Sequence, residues 1–115
     1  PYPGFIGGDR PDFSRFLDHI DYLVNLVGSR HVGFGPDFSF DYVDWYEWWQ
    51  LVIASGAMPR GTKIPDPVPW PQELSNAAQI FNLTRGLVSR GHSDKEVEDI
   101  LGLSFLRVFE RVLGS

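Results

Sequence analysis

One carboxylate stands where it could move a proton. Asp37 follows His31-Val32-Gly33-Phe34-Gly35-Pro36, a run of β-branched and aromatic residues alternating with glycine. That pattern predicts a buried strand over residues 31–37. Val32, Phe34 and Pro36 would face one side, and Gly33, Gly35 and Asp37 the other. Asp37 would then form the C-terminal tip, the end of a strand at which a parallel α/β barrel carries its catalytic residues. In the plainer reading Asp37 caps the next turn, and the residues alone leave both readings open.

Other residue types that could do chemistry are less well placed. The three histidines, His19, His31 and His92, invite a shared metal site. His31, however, begins the strand that Asp37 ends, roughly 20 Å away at ~3.3 Å per residue. His19 falls on a predicted helix and His92 in a turn, so structural or solvated roles are the better reading of all three. The aromatic cluster Tyr42, Trp45, Tyr46, Trp48 and Trp49 follows the predicted strand tip. It suits either a substrate pocket, with Tyr42 and Trp45 as the candidate contacts, or a subunit contact, which Trp and Tyr favour. Interface contact or loop packing is preferred over pocket lining. Asn82-Leu83-Thr84 matches a glycosylation sequon, a short motif common by chance, and falls on a predicted helix.

Positioning Asp37 requires elements on both sides. A helix is predicted over 12–27, where Phe13, Phe16, Leu17, Ile20, Leu23, Val24 and Val27 make one apolar stripe. Asp12 or Ser14 caps its start and Gly28 stops it. Helix, turn and strand form half of a parallel α/β unit. Residues 38–72 read as an aromatic and proline-rich loop region, with a short helix possible over 43–55. Pro59, Pro65, Pro67, Pro69 and Pro71 keep its second half extended. Helices follow over 74–113. Ser93-Asp94-Lys95-Glu96 is a capping box opening a helix that buries Val97, Ile100 and Leu101. Gly102 interrupts, and Ser104 starts a last helix burying Phe105, Val108, Phe109 and Val112.

The chain's 115 residues are enough for one domain, 43% hydrophobic and 22% charged. A net charge of −5 argues against a nucleic-acid partner and leaves no basic patch for an anionic membrane. No apolar run approaches a bilayer span. The absence of cysteine removes disulfides and thiolate ligands and leaves the compartment open, with the cytoplasm slightly favoured. The opening Pro1-Tyr2-Pro3-Gly4 reads as mid-loop, which hints at a fragment. A single strand would also leave two rows of backbone groups unpaired, each buried orphan costing roughly 1–3 kcal/mol. It therefore needs strands from outside this chain.

Two separated stretches resemble the membrane (renal) dipeptidase family, binuclear zinc peptidases of the amidohydrolase superfamily. The first is Asp18-His19-Ile20-Asp21-Tyr22 with Val27-Gly28 and His31 to Phe38. The second is Asn82-Leu83-Thr84-Arg85-Gly86-Leu87, Arg90-Gly91-His92-Ser93, Ile100-Leu101-Gly102 and Phe105-Leu106-Arg107-Val108-Phe109. The middle, roughly 39–73, matches poorly. The resemblance implies that this is the C-terminal segment of a (β/α)8 TIM barrel, mostly helical with one core strand. It implies zinc-dependent hydrolysis of dipeptides, with Asp37 as the acid/base. Two zinc ions would be held by residues outside this chain, with none of the metal ligands here. The implied partners are the N-terminal remainder of the barrel, a small peptide substrate and a second copy in a homodimer. Two positions depart from the family pattern. Ser39 and Phe40 replace an aspartate and a glycine beside the active site, and Ser104 replaces an asparagine at a helix start. A non-catalytic scaffold or peptide-binding relative is the alternative.

Overall fold

The computed structural model describes residues 12–35, 45–63 and 70–114, and among them the chain is helical. Helix α1 spans Phe13–Val27 because both of its ends are closed. Asp12 accepts the Arg15 N–H at 2.6 Å, which satisfies one donor of the first turn. Gly28 stops the helix at φ 82° and donates its N–H to the Val24 carbonyl. Phe16, Leu17 and Ile20 form its buried face, while Leu23 and Val27 at the edge of the predicted stripe remain exposed.

A short 3-10 turn, Ser29–His31, follows directly. Helix α2 spans Trp45–Ala54, and none of its described side chains belongs to the buried core. Two more 3-10 turns, Gln72–Leu74 and Ala77–Gln79, lead into α3, Phe81–Ser89. The sequence predicts a helix from residue 74. Its first turns are broken because the Gln79 side chain accepts both the Ser75 N–H at 2.8 Å and the Ser75 hydroxyl at 3.0 Å. Asn76 is extended at φ −154°, as expected where side chains compete for backbone groups. Helix α4, Asp94–Glu98, opens on the complete capping box of Ser93 and Glu96. It runs without a break through a π-helical turn, Asp99–Leu103, into α5, Ser104–Leu113. Gly102 thus lies inside a widened turn rather than at an interruption.

The core joins Phe16, Leu17 and Ile20 of α1 to Leu74, to Leu83 and Leu87 of α3, and to Val97, Ile100 and Val32. Gly86 sets the α1–α3 spacing. A Cβ there would lie 2.8 Å from Leu17 Cδ1 and 3.0 Å from the Phe13 ring. The close approach offsets glycine's cost of roughly 0.5–1 kcal/mol in a helix interior.

The predicted strand and the α/β barrel class are corrected. Among the described residues there is no strand and no sheet. Ser29–His31 is a 3-10 turn, and Val32 just beyond it has the extended values φ −112°, ψ 128°. Among the described residues, the segment 32–35 makes one backbone hydrogen bond away from the turn, Phe34 N–H to the Ile100 carbonyl at 3.0 Å. The physical reason is pairing. A strand requires a ladder partner, and the elements beside this segment are helices. The alternation still operates, but it directs side chains between helices. Val32 is buried and Phe34 meets the Phe16 ring edge-on, with centroids 5.8 Å apart.

Candidate functional site

Asp37 and Tyr42 lie outside the described residues. Trp45 opens α2, and its side chain also falls outside the described part. What the structure describes is the segment leading to Asp37 and the polar groups that hold it. The π-helical turn takes the Ile100 carbonyl out of the regular i→i+4 ladder. That carbonyl accepts the Phe34 N–H, so the irregular turn and the extended segment satisfy each other.

A second tie is ionic. Asp99 begins the π-turn and is fully buried. It accepts hydrogen bonds from Arg107 Nη1 at 2.8 Å and from the Ser29 hydroxyl at 2.9 Å, with Lys95 Nζ at 3.7 Å. Arg107 also donates to the Arg30 carbonyl, and the Ser104 hydroxyl donates to the Ser29 carbonyl, at 3.2 and 3.1 Å. Burial pushes the Asp99 carboxyl up. The bonds from Arg107 and Ser29 and the nearby positive charges outweigh it, leaving the group below the usual carboxylate range. These contacts fix the Ser29–His31 turn, and with it the start of residues 32–35.

The acidic run 94–99 reads in sequence as a helix N-terminus, which hides the role of Asp99. Helical spacing gives no signal either, since at about 100° per residue Asp99 stands roughly 160° around the helix from Val97. Once buried, its carboxylate needs a cationic partner, which Arg107 supplies.

The three histidines lie apart in their surroundings. His31 closes the 3-10 turn and, with Arg30, Arg107 and Arg111, lines an open groove of about 730 Å³ beside α5. His19 lies on α1 next to Asp18 and Tyr22. His92 Nε2 is 2.8 Å from Asp21 Oδ1. Arg90 completes that cluster by pairing with Asp21 and Asp18 and donating to the Ser14 carbonyl at 2.7 Å. An aspartate orienting a histidine is the frame of many general bases. Here every described contact of the cluster ties α1 to the turn between α3 and α4, so its role is that of a clamp. Among the described residues no group of three or more His, Asp or Glu could hold a metal ion. The described residues therefore do not fit zinc.

The clamp makes stability depend on pH. Burial raises the Asp21 carboxyl, but hydrogen bonds from His92 and Arg90 and their charges bring it below its ordinary value. A depressed carboxylate contributes fully above its unfolded pKa, near 4, and the contribution is lost as pH falls through the lower folded value. Urea midpoints measured from pH 6 to pH 2.5 should therefore drop below about pH 4, and Asp21→Asn should flatten part of that drop.

Comparison with known proteins bears on what this arrangement belongs to. Dipeptidase ataJ of Aspergillus terreus is 30% identical over 99 residues, covering 86% of this chain and 18% of that protein. Dipeptidase verJ of Clonostachys rogersoniana is 27% identical over 104 residues, 90% of this chain and 20% of that protein. An uncharacterized dipeptidase, C965.12, of Schizosaccharomyces pombe is 25% identical over 114 residues, 96% of this chain and 21% of that protein. Over most of its length, this chain is similar to dipeptidases. It spans about a fifth of the length of these relatives. No protein-family model matches the chain, and no solved structure matches it. No described helix is long and apolar enough to cross a membrane.

Proposed function

We propose that this chain is part of an enzyme that hydrolyses dipeptides, of the membrane dipeptidase type. The observation that supports it is similarity to proteins named dipeptidases along 86% to 96% of the chain. In this reading Asp37 is the acid/base. Its carboxylate takes a proton from the water that attacks the peptide carbonyl, then passes it to the leaving amine as the C–N bond breaks. Tyr42 and Trp45 contact the substrate. The zinc ions are held by residues other than the described ones, in the longer protein, which acts as a homodimer.

A second reading is a non-catalytic relative that binds peptides. Ser39 and Phe40, standing where the family carries aspartate and glycine, are what favour it. Removing metal separates the two. If the protein is the proposed enzyme, chelation of the full-length protein abolishes dipeptide hydrolysis and added zinc restores it. Peptide binding without turnover in the zinc-loaded protein would favour the second reading.

A further inference from the structure

Helix α5 is docked the wrong way round for a surface helix. Its polar side faces the body of the chain: Ser104 is buried on Ser29, and Arg107 reaches the buried Asp99. Its apolar side faces out. Phe105, Val108, Phe109 and Val112, spaced i, i+3, i+4 and i+7, are 44%, 55%, 56% and 74% exposed. The sequence predicts burial of these four, and within this chain they are not buried. A surface helix normally turns its apolar stripe to the core.

The outward face is continuous with more apolar surface. The Phe105 ring lies so close over Gly33 that a Cβ there would come within 2.5 Å of it. Gly33 in turn borders a small apolar pocket shared with Leu23 and Phe34. A patch of this kind on a soluble monomer marks an interaction site.

We propose that the remainder of a longer polypeptide covers this face of α5. The polar side of α5 is anchored by an ion pair whose carboxylate is buried and whose guanidinium is partly exposed, so the helix is held with its apolar side presented. One observation favours this occupant. The relatives named above are about five times as long as the stretch this chain spans, which provides polypeptide to cover it. The inference rests on the reading that this chain is part of such a longer protein.

The chain contains no cysteine, so single cysteines report cleanly. Full-length proteins carrying Phe109→Cys, the milder Val112→Cys, or Glu110→Cys on the opposite side would be treated with a maleimide. Modification of the peptide bearing each position would be followed by mass spectrometry, before and after urea unfolding. Positions 109 and 112 should react at least about tenfold more slowly than 110 in the native protein, and equally fast once unfolded. Equal native rates at all three positions in a monomer would overturn the inference. Protection that vanishes on dilution to the monomer would overturn it in favour of a second copy. Failure of the functional reading is a separate result: a protein that protects 109 and 112 yet hydrolyses no dipeptide retains this interface.

Discussion

With Asp37 as the proposed acid/base, Asp37→Asn in the full-length protein should lower dipeptide turnover by about 10²–10⁴-fold, the usual contribution of such a group. Asparagine matches aspartate in size and keeps its accepting oxygen but cannot carry the proton. The loss should therefore appear in kcat, with KM and the urea midpoint little changed. The same substitution tests the plainer role of Asp37. Asparagine caps a turn or helix as well as aspartate does. If Asp37 only caps, the Asp37→Asn variant would keep its turnover and Asp37→Ala would lower stability instead. Steady-state kinetics and denaturation of the two variants separate the cases.

The largest expected effect on stability is at Asp99. Its carboxylate is fully buried, and its removal leaves Arg107 and the Ser29 hydroxyl without the acceptor they share. Breaking a buried ion pair on one side costs about 3–5 kcal/mol. Arg107 is partly exposed, so water recovers some of that, and Asp99→Ala should cost about 3 kcal/mol by chemical denaturation. Replacing both partners, as Asp99→Leu with Arg107→Leu, should cost much less than the single change, because no charge is then stranded. A double-mutant cycle measures that coupling. If Asp99→Ala alone left the midpoint unchanged, the ion pair would not be what holds the Ser29–His31 turn.

What was legible in the sequence was local. The ends of α1 follow from Asp12 and Gly28, and the start of α4 from Ser93 and Glu96, since each closure uses side chains within a few residues. The apolar spacing of Phe16, Leu17 and Ile20 likewise marks a buried face. Non-local decisions were not legible. The alternation Val32-Gly33-Phe34-Gly35 reads as strand because period-two burial is the strand signal. A helical surround buries the same side chains without a ladder. In α5 the pattern identifies the apolar face correctly, but not that the Asp99–Arg107 pair holds the opposite face against this chain. The π-turn has no sequence signature of its own, and Gly102 suggests a break where the helix continues. Of the candidate site, the sequence singles out Asp37, Tyr42 and Trp45. The groups that hold the segment before Asp37, namely Asp99, Arg107, Ser29 and the Ile100 carbonyl, are brought together only by packing.

If this chain serves in dipeptide hydrolysis as proposed, the zinc-loaded full-length protein should steadily release amino acids from at least part of a panel of unblocked dipeptides. A folded, metal-loaded protein that releases no amino acid from any dipeptide would rule that function out.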